Sequence, residues 1–150
     1  MTPLTGSKSA ELSRRSRFFA AVVGAGLLAA LLLASQLRPD PRGRGTHEQL
    51  GLPPCTLATL AGLRCPACGM TTSWALATHG RFVDAVRTHA TGTLLAFTAL
   101  VGGLASTIVA ARGRRLAWQG GETIAAALAV ALVGLVLCEW IVRLLSQSGG

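Results

Sequence analysis

Charge is scarce in this sequence. Only 13% of its 150 residues are charged, and six are acidic, whereas an ordinary soluble domain is about 25% charged. Half of the residues are apolar, and so few polar side chains cannot cover a soluble core of that size. An ordinary water-soluble domain is therefore excluded. Aromatic residues make up 5% and do not alternate with basic ones as single-strand binders require. The formal charge of +8 thus gives no reason to expect a nucleic-acid partner. Four cysteines are too few for a disulfide-rich scaffold. Also missing are a Ser-His-Asp order, a phosphate-binding glycine loop and a paired-carboxylate arrangement, so hydrolase and nucleotide-binding readings find no support.

What the chain does have is three apolar blocks, at residues 18–37, 91–111 and 123–145. Each reaches the length of about 20 residues that crosses the hydrocarbon of a bilayer. The first is longer than the roughly 7–15 apolar residues of a cleaved signal peptide, and Ala34-Ser35-Gln36 makes a poor cleavage site, so it reads as an uncleaved anchor. The expected fold class is all-α: an integral membrane protein with three transmembrane helices. A cysteine-containing loop with short interfacial helices lies between the first and second spans, and the lipid bilayer is the first partner.

Basic residues flank the blocks. The tail 1–17 and the loop 112–122 together hold seven of the fourteen Lys and Arg residues. With three spans they share a side, and the positive-inside rule puts that side in the cytoplasm. The cysteine loop 38–90 and the short tail 146–150 then lie outside. The expected location is the cell membrane, multi-pass, with the N-terminus cytoplasmic.

The chemistry concentrates in Cys65-Pro66-Ala67-Cys68-Gly69-Met70-Thr71-Thr72, with Cys55 ten residues upstream. Pro39, Pro41, Pro53 and Pro54 argue against regular structure in the stretch before it. Thr71 is placed to cap a helix running to His79, with Gly80 as its stop. Phe82, Val83 and Val86 then share a face of a short amphipathic helix, with Arg81, Asp84 and Arg87 opposite. At a helix start, Cys65 and Cys68 would lie where the dipole favours a thiolate. Three readings stay open. Cys65 and Cys68 form a structural disulfide, or act as a redox pair. Alternatively, Cys55, Cys65, Cys68 and His79 form a Cys3His set, which suits zinc. His79 and His89 are otherwise polar interface residues, and Trp74, Trp118 and Trp140 fit an interfacial aromatic belt. Cys138, inside an apolar block, reads as a small buried hydrophobe.

Glu139 and Arg143 are the charged residues of the third block. They lie one helical turn apart and can pair at its end. Glu139 is also placed to meet Arg64, Arg81 or Arg87. The small pairs Ala99/Gly103 and Gly102/Ser106 allow close helix contact in lipid.

The stretch from Cys55 through Leu60-Ala61-Gly62-Leu63-Arg64-Cys65-Pro66-Ala67-Cys68-Gly69-Met70-Thr71, followed by Gly80 and Ala85, resembles an uncharacterised family of small bacterial membrane proteins. Its signature is C…(L/F)TGLxCPxCGMTR, then G, then A-x-x-x-N, between membrane spans. The resemblance covers about residues 55–100. It departs at Thr72, where the family has Arg, and at His89, where it has Asn. A domain of unknown function implies a bacterial membrane location and a cysteine site, and no reaction. A weaker likeness, to membrane thiol oxidoreductases with a C-x-x-C and loop cysteines, stops at four core helices and a quinone pocket. Neither is evident here.

The functional expectation is an extracytoplasmic cysteine site acting in thiol redox or metal handling. The alternative is a non-enzymatic adaptor with structural cysteines, self-associating or held in a larger membrane complex.

Overall fold

The computed structural model describes residues 12–60, 62, 65–113 and 121–148. The tail through Glu11, with Lys8, lies outside the described residues. So do Arg64, the last two residues, and 114–120 with Arg114, Arg115 and Trp118. The described residues form α1 (Arg14–Gln36), a 3-10 turn (Thr46–Leu50), α2 (Thr56–Leu60), α3 (Met70–Thr78), α4 (Phe82–Thr88), α5 (Ala90–Arg112) and α6 (Gly121–Ser148). No strand occurs among them. Stretches of α1, α5 and α6 are long and apolar enough to cross a membrane. The all-helical, three-span expectation is borne out to that extent.

Helix α1 starts four residues before its apolar block. Ser13 caps it: the Ser13 Oγ accepts the Ser16 N–H at 3.2 Å, so Arg14, Arg15 and Arg17 belong to the first turns. Helices α1 and α5 run antiparallel and make the main helix–helix contact of the fold. Small residues let them approach. A Cβ on Gly24 would lie 3.0 Å from the Gly103 carbonyl oxygen, and one on Gly103 would lie 3.0 Å from the Leu28 side chain. Ala99 is buried beside this seam, so the 99/103 pair serves helix contact in the way small residues do in lipid. At one end, the Arg17 Nε donates to the Ala110 carbonyl at 3.1 Å and the Leu12 N–H to that of Gly113 at 2.9 Å. A cation there meets the negative end of α5.

Helix α6 packs differently. No residue of its 127–146 stretch is buried within the chain, and Leu128, Val130, Val133, Val142 and Leu145 stay exposed. Its firm attachment is polar, through Glu139 and Arg143, at the end of the bundle opposite Arg17.

That far end holds the loop structure. The stretch before Cys55 contains the 3-10 turn, contrary to the expectation of irregular chain. The four prolines bracket residues 42–52 and leave that interval able to coil. Its frame is polar: Asp40 accepts the Arg42 N–H at 2.8 Å, and Gln49 exchanges hydrogen bonds with the backbone of Arg38. The Thr46 hydroxyl accepts the Asp40 N–H at 3.1 Å and bonds the Thr72 hydroxyl at 2.8 Å. Both threonines are buried, so this pair fastens the loop to α3.

Helix α3 ends as read from the sequence. The Gly80 N–H bonds to the Ala77 carbonyl and the Arg81 N–H to that of Leu76. With Gly80 at φ +76°, this is the paired closure of a glycine-terminated helix. Its start differs. The cap position is Gly69, at φ +94°, and Thr71 lies one residue inside. In α4, Ala85 is the buried residue, while Phe82, Val83 and Val86 are exposed. The Phe82 ring lies against Phe97 at 5.7 Å, and Arg81 pairs with Asp84.

Candidate functional site

The two cysteines of the C-x-x-C are joined by a tight turn. The Cys68 N–H donates to the Cys65 carbonyl at 3.0 Å, and the Met70 N–H to that of Ala67 at 3.0 Å. Gly69 lets the chain leave this turn and enter α3. Its positive φ suits glycine, and a Cβ there would lie 2.9 Å from the Gly43 carbonyl oxygen. The position therefore also admits the loop backbone. Cys68 stands immediately before this cap, at the end where the helix dipole favours negative charge.

Two long-range contacts hold the turn by its carbonyls. His89 is buried and caps α5: its Nδ1 accepts the Gly92 N–H at 3.1 Å. The proton therefore resides on Nε2, which donates to the Pro66 carbonyl at 2.9 Å. Gly92 makes room for this, since a Cβ there would lie 3.2 Å from the imidazole. From α6, Arg143 donates through Nη2 to the Thr88 carbonyl at 2.7 Å and through Nη1 to that of Cys68 at 3.4 Å.

Glu139 completes the junction. Its Oε1 accepts the Ala90 N–H at 3.0 Å, and its Oε2 the Thr91 N–H at 2.8 Å. It also pairs with Arg143. A carboxylate is thus seated on the first amides of α5, where unpaired donors and the helix dipole both favour an anion. Oε2 also lies 3.0 Å from His89 Nδ1. Of the arginines weighed from the sequence as partners for Glu139, Arg81 is engaged by Asp84, and Arg64 lies outside the described residues. Arg143 and the α5 backbone take that place.

The thiols gather beside this frame. Burial, reinforced by a hydrogen bond with the Cys55 thiol, pushes the Cys65 thiol up to about 11. Cys55 and Cys68 line a cavity of about 210 Å3 together with Arg42, Arg44, His47 and Glu48. No disulfide joins the described cysteines, and the thiol that hydrogen-bonds Cys65 is Cys55, upstream of the C-x-x-C. Cys138, read from the sequence as buried, is exposed on α6, because no residue of the 127–146 stretch is buried within the chain.

His79, the histidine of the zinc set, turns elsewhere. Its Nδ1 donates to the Ala75 carbonyl at 2.7 Å within α3. Among the described residues no group of three or more His, Cys, Asp or Glu side chains is arranged to hold a metal ion. The structure brings Cys55, Cys65 and Cys68 together without gathering His79 to them.

Sequence reasoning passed over the Arg42–Glu48 loop as a mere lead-in to Cys55, and it weighed His89 below His79. One signal did exist for His89. It stands directly before a charge-free span, at a cap position, where the resembling family has Asn. Asparagine is a good N-cap residue, and His89 caps through Nδ1 instead. Thr72, where that family has Arg, is spent on the buried hydroxyl pair with Thr46.

No curated protein matches the chain, and no solved structure does. One family model matches, over residues 55–103: it is described as a protein of unknown function (DUF2752). That segment runs from the first site cysteine into α5, and over it the chain is similar to that family of unknown function.

Proposed function

We propose that this is a bacterial inner-membrane protein that exchanges thiols and disulfides at the extracytoplasmic face, with Cys65 and Cys68 in the reacting group. The observation that carries the reading is the meeting of three cysteines at one end of the bundle, two of them lining a single cavity. Hydrogen bonds from the His89 and Arg143 side chains to the carbonyls of Pro66 and Cys68 fix the turn without engaging its sulfurs. Preorganised support of this kind is what a reacting pair needs.

The orientation is part of the proposal. The tail 1–17 and the loop 112–122 set seven Lys and Arg residues against Glu11 and Glu122, whereas the loop 38–90 sets six against Asp40, Glu48 and Asp84. The end with the denser Lys and Arg residues is the cytoplasmic one under the positive-inside rule. The cysteine end then faces the oxidising compartment, where disulfides persist.

A second reading, a membrane adaptor with structural cysteines, has one observation in its favour. Helix α6 keeps an apolar surface that none of the described residues covers, which leaves it open to a membrane partner or a second copy. Thiol counting on purified protein separates the readings. Exchange predicts that mild reductant frees two thiols and that removing it lets them re-form a bridge. Thiols released by chelator alone would instead favour metal handling. A bridge that resists reduction in the folded protein would favour the adaptor.

A further inference from the structure

We infer that Cys68 is the thiol that attacks a small anionic disulfide, and that the electron pair is drawn from Cys55 and Cys65, which end as the stored bridge. The inference rests on the thiol-exchange reading and assigns its parts. Cys68 opens on the 210 Å3 cavity with Cys55, whereas Cys65 is not among the residues that line it. Cys65 and Cys55 share a hydrogen bond, and burial holds Cys65 protonated at neutral pH. A protonated thiol is a poor attacker, so Cys65 is suited to be the last sulfur to react rather than the first.

The cavity also sets the charge of the substrate. Its walls carry Arg42 and Arg44 against one carboxylate, Glu48. Arg42 is bound by Asp40 and Glu48. Arg44 lines the cavity and makes no ion pair with an acidic side chain among the described residues, which leaves it as the cation available to an incoming ligand. The side chain of His47 adds a second polar group. A small disulfide bearing carboxylates fits that lining better than a neutral or cationic one.

The steps balance. The Cys68 thiolate attacks one sulfur of RS–SR. The Cys68–SR bond forms, the RS–SR bond breaks, and the first RS– leaves with the proton that Cys68 gave up. Cys55 attacks the Cys68 sulfur, forming a Cys55–Cys68 bond and releasing the second RS–, which takes the Cys55 proton. Cys65 then attacks Cys55. The Cys55–Cys65 bond forms, and Cys68 recovers its thiol with the Cys65 proton. In sum, RS–SR and two protein thiols give two RSH and the Cys55–Cys65 disulfide, and two electrons pass to the substrate.

The test treats reduced full-length protein in detergent with oxidised glutathione, an anionic disulfide, and maps the products by mass spectrometry. Wild type is expected to show a Cys55–Cys65 bridge, and Cys55→Ser to accumulate glutathione on Cys68. Cys68→Ser should oxidise far more slowly. Arg44→Gln should narrow the rate advantage of oxidised glutathione over neutral hydroxyethyl disulfide by about threefold, the worth of one partly screened charge. A Cys65–Cys68 bridge in wild type, or unchanged oxidation of Cys68→Ser, overturns the assignment while leaving exchange itself standing. An unchanged rate ratio in Arg44→Gln overturns the substrate charge. Neither bridge nor adduct in any variant overturns the assignment and the exchange reading together.

Discussion

The His89 Nε2 donates to the Pro66 carbonyl at 2.9 Å while its Nδ1 accepts the Gly92 N–H. One buried ring thereby joins the middle of the cysteine turn to the first turn of α5. His89→Ala removes the cap and strands a carbonyl. The cap is worth about 1 kcal/mol and the unsatisfied carbonyl about 1–3 kcal/mol. The expected loss is about 2–4 kcal/mol of stability in detergent. His89→Asn keeps a capping side chain and should lose about half as much. Thermal unfolding of the two variants beside wild type checks the order.

Glu139 and Arg143 are unequal partners. Arg143→Gln leaves Glu139 still seated on the Ala90 and Thr91 amides. Glu139→Gln leaves the Arg143 cation, only 23% exposed, with carbonyls and no counter-charge. An uncompensated, partly desolvated charge costs more than an exposed pair is worth. We expect Glu139→Gln to destabilise more than Arg143→Gln, and the double variant to lose less than the sum of the two. Small, equal and additive shifts, of about 0.3–0.5 kcal/mol each, would mean a solvated surface pair.

Two glycines with positive φ should respond differently to alanine. A Cβ on Gly80 meets nothing within 4 Å, whereas one on Gly69 meets the Gly43 carbonyl oxygen at 2.9 Å. Gly80→Ala should cost about 1 kcal/mol, the usual penalty of a left-handed cap. Gly69→Ala adds a clash between two backbones and should cost about 3 kcal/mol. Hydrogen exchange should place the Gly69→Ala loss in α3 and the loop that Thr46 anchors.

The Cys65 thiol, held up at about 11, sets a pH dependence. Its alkylation should be slow at neutral pH and rise about tenfold per pH unit until near that value. The sign for stability follows. A folded-state value above the unfolded one of about 8.5 favours folding below that pH, and the contribution fades as pH rises toward about 11. Iodoacetamide rates in Cys55→Ala should be higher at neutral pH, because the hydrogen bond that helps raise Cys65 is gone.

Several of these features were legible in the sequence, and others were not. The apolar blocks announced α1, α5 and α6 because length and lack of charge are local properties. Gly80 announced the end of α3 for the same reason. The start of α3 was misplaced by two residues: Thr71 is a better cap by chemistry, but Gly69 sits where the cysteine turn hands over the chain. The loop before Cys55 looked structureless because its prolines were counted rather than located. The site itself was only half visible. Cys55, Cys65 and Cys68 could be named, but the groups that hold them come from afar. His89 reaches Pro66 across 23 residues, and Arg143 reaches Cys68 across 75. No periodicity or spacing encodes such meetings. They arise when α6 brings one charged turn to the corner between α4 and α5.

Redox titration of the purified protein tests the central claim most directly. The protein is equilibrated over a range of reduced and oxidised glutathione, quenched, and its thiols counted by mass. The account predicts a single reversible transition in which two of the three site thiols disappear together, following the two-electron form of a dithiol couple, and return on reduction. A thiol count that stays constant across the whole range, with Cys55, Cys65 and Cys68 all remaining reduced, would contradict it.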